Sequence, residues 1–228
     1  MMESTMRVLR PATLFAVAAL LAACGKNYEP KPPAAAVPPP SSAPTMGTAP
    51  SLGSPPAPAG AAARVSGPQD DPAVMIAGGI QGPKPATWVW VQPTVQFRTL
   101  QYTVPGEGGA GAADLIVSVF PRGGAGPVDA NLERWRMQFT DSSGSPVAAT
   151  PRVVQANGLE RHEIDLKGNY SGMSGSGPRQ DYAQLGVIVV APDSEVYIRL
   201  LGPAATVEKN RAAWEALMTG LKPYSPAG

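Results

Sequence analysis

The chain of 228 residues contains one cysteine, Cys24, and one histidine, His162. A single histidine excludes a metal site built on a pair of histidines and leaves one candidate base for a Ser/His/Asp system. No G-x-S-x-G elbow is present to supply the nucleophilic serine of such a system. With one cysteine, no disulfide can form within the chain. The sequence therefore predicts no catalytic residue, no metal site and no cofactor.

His162 lies in a predicted strand, where it shares a face with Ile164 and Leu166 while Arg161 and Glu163 alternate onto the opposite face. This pattern is typical of an ordinary, partly buried histidine. The alternative is a hydrolase or a small-ligand carrier whose site is built from loop residues around His162. A serine and a carboxylate within hydrogen-bond reach of the imidazole would favour that alternative.

A polar patch is predicted on the first helix, where Asn131, Arg134 and Gln138 lie beside Trp135. Offsets of three, four and seven residues return to the same helix face. We interpret these four residues as a candidate partner-binding site with an aromatic anchor. The alternative is that Trp135 packs into the sheet and its polar neighbours bond to adjoining strands or loops.

Two other features have structural explanations beside functional ones. Trp88 and Trp90 share a face of the first predicted strand, either as a core pair or as an exposed aromatic platform for a sugar or peptide. The stretch 171–177 is rich in serine and glycine but lacks the G-K-[ST] ending of a phosphate-binding loop. It is interpreted as a hairpin loop.

Charge gives little indication of partners. The chain has 18 Lys and Arg against 17 Asp and Glu, and no block of like charges is present. The sequence therefore supports neither a nucleic-acid footprint nor a polybasic patch for a membrane. Membrane attachment is expected through lipid.

The N-terminus has the parts of a secretory signal. Arg7 and Arg10 precede an apolar run over 12–23, which is too short to span a bilayer. The run ends in Leu-Leu-Ala-Ala directly before Cys24, which resembles the processing site of bacterial lipoproteins. The resemblance implies cleavage after residue 23 and lipidation of Cys24, and Gly25 in place of an aspartate favours the outer over the inner membrane. The alternative is an ordinary secretory signal cleaved near Ala23.

The rest of the chain divides by composition. Residues 24–72 are rich in proline and alanine and are expected to form a disordered tether, because they cannot bury enough apolar surface to fold. Residues 73–85 are expected to be an irregular lead-in to a single domain over 86–224, with a tail at 225–228. The tether would let the domain reach another envelope protein or a cell-wall component.

The predicted elements of the domain are strands and two helices. The patterns indicate strands near 87–91, 95–104, 114–120, 152–156, 159–166, 185–190 and 196–200. The strands at 114–120 and 185–190 are apolar on both faces, which is typical of central strands in a sheet covered on both sides. The apolar phase slips between Phe97 and Leu100, which suggests a bulge. The strand at 196–200 alternates apolar with polar residues, so it is expected to be half buried. Helices are predicted over 127–139 and 206–219. The fold class is therefore α+β, a mainly antiparallel sheet flanked by two helices as an α/β/α sandwich.

Several segments carry a resemblance to known proteins. The N-x-x-R-W-x-x-Q-F pattern of 131–139, together with 165–170, Leu185-Gly186 and Gly202-Pro203, resembles a group of uncharacterised bacterial lipoproteins. The order of elements is similar to the Mog1/PsbP-like α/β/α sandwich. That resemblance implies a binding or assembly factor, as in a small-GTPase partner or an accessory subunit of photosystem II.

The sequence thus predicts a lipid-anchored envelope protein with a non-catalytic binding or assembly domain. A hydrolase or small-ligand carrier around His162 is the alternative, and a structural surface lipoprotein without a specific ligand is a third possibility.

Lipidation has a direct test. Replacing Cys24 with alanine removes the thiol that would carry the lipid, so incorporation of a radiolabelled fatty acid into the protein in cells should be abolished. Persistent labelling of the Cys24→Ala variant would contradict the prediction.

Overall fold

The computed structural model describes residues 64–172 and 177–225. The predicted signal peptide, Cys24 and most of the predicted tether lie outside the described residues, as do residues 173–176 of the predicted hairpin loop and the last three residues. No helix within the described ranges is long and apolar enough to cross a membrane.

The described residues form strands and short helices in an α+β arrangement. In chain order they are β1 (Val74–Ala77), β2 (Ile80–Pro83), β3 (Val89–Trp90), β4 (Leu100–Val104), β5 (Ala113–Pro121), α1 (Val128–Arg136), β6 (Phe139–Thr140), β7 (Arg152–Ala156), β8 (Leu159–Tyr170), β9 (Arg179–Val190), β10 (Ser194–Pro203), α2 (Ala204–Lys209), α3 (Arg211–Gly220) and β11 (Lys222–Pro223).

The main sheet is antiparallel. Its strands follow the order β3-β4-β5-β10-β9-β8-β6, and β7 also pairs with β8. Because β9 occupies one edge of β8, both β6 and β7 lie on the other edge. A smaller sheet has the order β1-β2-β11.

Each face of the main sheet carries its own apolar core. One face packs against α2, α3 and the small sheet, with Leu100, Val117, Val187, Ile198 and Leu217 among its fully buried residues. The opposite face packs against α1 through Leu132, Trp135, Ile164, Leu166, Ile188 and Tyr197. The prediction of an α+β fold with helices on both sides of a mainly antiparallel sheet is confirmed.

The strand expected to be half buried is central. β10 lies between β5 and β9, and its polar residues Glu195 and Tyr197 are buried as well as its apolar ones. The expectation from its alternating pattern was wrong because α1 covers the polar face. Buried polar groups need partners, and the Tyr197 hydroxyl donates to the Glu195 carboxylate at 3.1 Å.

Residues 73–85 form no irregular lead-in, and this expectation was wrong. Gly78 and Gly79, both at positive φ, turn the chain between β1 and β2 as a two-residue hairpin. Met75, Ala77 and Ile80 from this hairpin are fully buried in the core that contains α3.

The folded part also begins before residue 73. Ser66 is buried and exchanges hydrogen bonds with Ile76, through its backbone amide at 2.9 Å and its hydroxyl at 2.8 Å. The Nζ of buried Lys84 donates to the carbonyls of Pro72 and Trp88. Residues 66–72 therefore belong to the domain and not to a tether.

The helices are shorter than their patterns predicted. α1 ends at Arg136, and Phe139 reaches the core from β6 instead of from the helix. The second predicted helix is divided at Asn210, where the backbone leaves helical geometry. The Asn210 side chain donates to the Thr206 carbonyl and accepts from the Trp88 indole, so the break links α2 to the segment before β3.

The contribution of the β1–β2 hairpin to stability can be measured by truncating one of its core residues. Ile80→Ala should lower the free energy of unfolding by about 2–5 kcal/mol, because it empties a fully enclosed site between the small sheet and α3. Urea denaturation measures this loss. The control Val153→Ala, at a valine that is 61% exposed, should change stability by only about 0.5 kcal/mol; equal effects would place 73–85 outside the cooperative domain.

Candidate functional site

Asn131 lies inside the turn that begins α1. It is only 1% exposed, and its amide nitrogen donates to the carbonyls of Ala125 at 3.0 Å and Pro127 at 2.8 Å. Its side-chain oxygen accepts a bond from the Arg134 guanidinium. Asn131 therefore holds the helix start in place and is not accessible to a partner.

Trp135 anchors α1 to the sheet. It is 4% exposed and lies over Gly186 of β9, where an added Cβ would come within 2.8 Å of its ring. Its ring meets Tyr197 edge-on, with 6.0 Å between centroids. Of the four residues in the predicted patch, Asn131 and Trp135 are thus buried and Arg134 is exposed, while Gln138 is half buried. This matches the alternative in which Trp135 packs into the sheet.

Arg199 of β10 joins the helix to the sheet. Its guanidinium lies 5.2 Å from the centroid of the Trp135 ring, a cation–π geometry. Its Nε donates to the Gln184 side-chain oxygen at 2.7 Å, and its Nη2 donates to the Gln138 oxygen at 2.8 Å. Burial lowers the pKa of Arg199, the Tyr170 hydroxyl raises it, and the nearby charges of Arg98 and Arg134 lower it.

Three arginines share one bonding pattern, in which the guanidinium donates to a side-chain amide oxygen. Arg98 donates to the Gln101 side-chain oxygen at 2.9 Å, Arg134 donates to Asn131, and Arg199 donates to two glutamines. Within residues 64–172 and 177–225, none of the three forms an ion pair with a carboxylate. Five other described arginines do so, namely Arg64, Arg136, Arg152, Arg161 and Arg211. Two more, Arg122 and Arg179, contact a backbone carbonyl and an aromatic ring instead.

Aromatic rings form a continuous row across the same face, which we call the aromatic row. It runs from Phe97 to Phe120 at 6.2 Å between centroids, then to Tyr197 at 5.3 Å, and on to Trp135. These spacings lie in the range at which aromatic pairs attract one another. The row leads from solvent at Phe97 to the buried anchor of α1.

Phe97 is the feature that sequence reasoning misread. Its side chain is 67% exposed and its φ is +66°, a left-handed conformation that a bulky residue adopts rarely. It lies in a turn closed by a bond from the Arg98 amide to the Val95 carbonyl. The phase slip before Leu100 was the signal of this turn, and β4 begins only after it.

Four exposed apolar side chains lie in this turn and in the segment that precedes it, and we call them the Phe97 rim. They are Val89, Val91, Val95 and Phe97, out of six large apolar side chains exposed among the described residues. Trp88 and Trp90, expected to share one face, both pack toward the opposite core, as the core-pair alternative has it. Val89 and Val91, which alternate with them along the strand, therefore point to the face that carries α1.

His162 lines a separate groove of about 360 Å³ between α1 and β8. Apolar side chains of Leu132 and Ile164 line it together with Asp129 and Glu133. The histidine is partly buried, and its Nε2 lies 2.7 Å from Glu160 on its own strand. The bonds from His162 and Gln155 hold the pKa of the Glu160 carboxyl below its usual value.

The groove shows no catalytic constellation in the described part of the chain. The hydrogen bonds found there give His162 no serine partner, and no group of three or more His, Cys, Asp or Glu side chains that could hold a metal is present among these residues.

Comparisons with known proteins give distant structural likenesses. No family model matches the chain, and no curated protein matches it. Similar solved structures include a protein of unknown function from Pseudomonas aeruginosa, at 16% identity and a TM-score of 0.44, with 59% of this chain and 90% of that chain covered. Another is a cyanobacterial PsbP from Synechocystis, at 10% identity and 0.40, covering 71% and 99%. A third, from Bacteroides thetaiotaomicron, has 8% identity and 0.39, covering 65% and 46%. Likenesses of this size carry no information on function.

The contact between Trp135 and Gly186 can be tested by stability. Gly186→Ala should lower the free energy of unfolding by about 1–3 kcal/mol, because the new methyl group would push the indole out of its packing. Thermal or urea unfolding measures this. Gly111→Ala is the matched control, since its added Cβ has ordinary contact distance to Pro203 at 3.6 Å; it should be neutral or slightly stabilising. Equal losses would show that Trp135 does not rest on Gly186.

Proposed function

We propose that the protein is a lipid-anchored envelope protein whose domain is a non-catalytic binding module, with the Phe97 rim as its binding surface. The observation that carries the proposal is the exposed ring of Phe97 on a left-handed backbone. Such a backbone costs a bulky residue of order 1–3 kcal/mol. A ring left in solvent does not repay that cost by burial, whereas contact with another molecule would.

The surroundings of Phe97 support a contact surface. Val89, Val91 and Val95 are further exposed apolar side chains in the segment before Phe97, and exposed apolar side chains grouped in this way commonly mark interaction sites. The aromatic row gives the rim a rigid base, because Phe120 connects it to the buried Tyr197. A rigid aromatic surface binds with little loss of side-chain entropy.

The location of the protein rests on the sequence. The charged N-terminus, the apolar run and the small residues before Cys24 support lipid attachment in a bacterial envelope, with the outer membrane favoured by Gly25. The partner would then be another component of the envelope, either a protein, the wall or a membrane.

The groove at His162 supports a second candidate function, a small-ligand carrier. Its size, about 360 Å³, lies at the lower end of the range of ligand pockets. A hydrolase at this position would need a nucleophile that the described contacts of His162 do not provide. A substrate turned over by the purified protein and lost on His162→Ala would overturn the binding-module proposal.

Photo-crosslinking tests the Phe97 rim in intact cells. A photoreactive phenylalanine analogue at position 97 should form adducts with an envelope protein, a wall fragment or a lipid, and mass spectrometry identifies them. The same analogue at Val153 is the control, because this side chain has similar exposure, 61%, on β7. We expect adducts from position 97 in clear excess over position 153. Equal yields from the two positions would contradict the proposal.

A further inference from the structure

We infer that the Phe97 rim and the arginines Arg98, Arg134 and Arg199 together form a docking surface for an anionic phospholipid membrane. The inference rests on the proposed function and names the partner of that surface. It gives the domain a membrane contact of its own, in addition to the lipid expected at Cys24.

The strand register brings these residues together. Arg199 of β10 lies opposite Ile116 of β5, which lies opposite Gln101 of β4. Val91 lies next to Gln101, because its amide donates to the Gln101 carbonyl at 3.0 Å. Residues directly opposite in antiparallel strands point to the same face and lie about 5 Å apart. A line of paired residues across the α1 face thus leads from Arg199 to Val91 of the Phe97 rim.

The two other arginines lie beside this line of paired residues. Arg98 follows Phe97 and donates to Gln101, which belongs to that line of paired residues. Arg134 lies in α1, four residues before Gln138, which follows the helix and binds Arg199. α1 packs over β8, β9 and β10 through Trp135 and Leu132. The arginines therefore lie beside the aromatic row, Arg98 next to Phe97 in the chain, and Arg134 and Arg199 next to Trp135.

Positive charge is left over on this surface. Each arginine is oriented by a side-chain amide oxygen, which fixes the guanidinium without neutralising it. On the strands that carry this line of residues, β4, β5 and β10, two carboxylates point to the α1 face. Asp114 accepts a bond from Gln101 at 3.2 Å, and Glu195 accepts from Tyr197 and from the Gly123 amide. Elsewhere on the α1 side, Glu133 is paired with Arg136 and Glu160 is bonded to His162. The three guanidinium groups, none of which pairs with a carboxylate among the described residues, give a surface suited to phosphate oxygens.

The apolar rim decides in favour of a membrane. The cavities between α1 and β8 and beside α2 are not lined by these three arginines, which lie beside exposed apolar side chains instead. Exposed apolar side chains beside arginines are the combination that binds membrane interfaces, because the apolar groups enter the acyl boundary and the guanidinium groups meet anionic headgroups. Phe97 and Arg98 are adjacent in such an arrangement.

Vesicle sedimentation tests the inference. The full chain with Cys24→Ala, which cannot carry the lipid, is mixed with phosphatidylcholine vesicles with or without phosphatidylglycerol. Binding should be stronger to the vesicles that contain phosphatidylglycerol and should weaken as salt is added. The apolar segment 12–23 is common to every variant, so the comparisons between variants report on the domain.

Two variants separate the charged from the apolar contribution. Arg98→Gln with Arg134→Gln should weaken binding to phosphatidylglycerol vesicles by about thirtyfold, from about one charge contact each. Phe97→Asn should weaken it by about tenfold. Asparagine accepts the left-handed backbone, so this variant should keep or raise the melting temperature, which separates loss of contact from loss of fold.

The matched control removes the same charge elsewhere. Lys167→Gln with Lys209→Gln replaces two lysines in exposed ion pairs, and it should leave binding within about twofold. An equal loss in this control, or equal binding to the two kinds of vesicle, would overturn the inference. A protein adduct from position 97 without any preference for phosphatidylglycerol would also overturn it and would leave the binding-module proposal standing, whereas equal crosslinking from positions 97 and 153 would remove that proposal itself.

Discussion

The packing of Trp135 on Gly186 is the contact on which the rest of this face depends. Because Gly186 has no side chain, the indole can lie directly on β9, and α1 is brought close enough for Gln138 to reach Arg199. The indole also provides the surface on which the Arg199 guanidinium stacks. Any side chain at Gly186 would lift the helix, and the orientation of the arginine would be lost with it.

The partial burial of the Arg199 guanidinium costs free energy of solvation. Removing a guanidinium from water is costly unless a charge or several hydrogen bonds replace the water, with penalties of several kcal/mol per ion. Here two glutamine oxygens and an aromatic ring replace it, and the described residues supply no carboxylate. A carboxylate would stabilise the cation more strongly but would cancel its field. The neutral partners leave the charge able to attract an external anion.

The sequence predicted the layers of the fold better than it predicted the surface formed by the Phe97 rim and the three arginines. The strand near 114–120 and the helix over 206–219 follow from local periodicity, and the structure places Leu115, Val117, Trp214 and Leu217 of these segments in the core. The hairpin of β1 and β2 was missed although Gly78-Gly79 between apolar residues is a recognised hairpin signal. The alternating pattern of β10 predicted half burial wrongly, because the alternation shows only which residues are polar. It does not show that another element covers the polar face of the strand.

The surface itself could not be predicted from the sequence in the same way. Arg98, Arg134 and Arg199 are spread over about a hundred positions, so no run of like charges marks them. They meet only through the pairing of β4, β5 and β10 and the docking of α1. The phase slip at Phe97 was visible, but its conformation and exposure depend on the turn that precedes β4.

Amide hydrogen exchange of the full chain with Cys24→Ala, with and without phosphatidylglycerol vesicles, tests the central claim most directly, since it maps contact along the backbone. The account predicts slower exchange over residues 91–101, around the Phe97 rim, and no change over residues 149–164, which line the His162 groove. Protection confined to residues 149–164, or no protection anywhere in the domain, would contradict it.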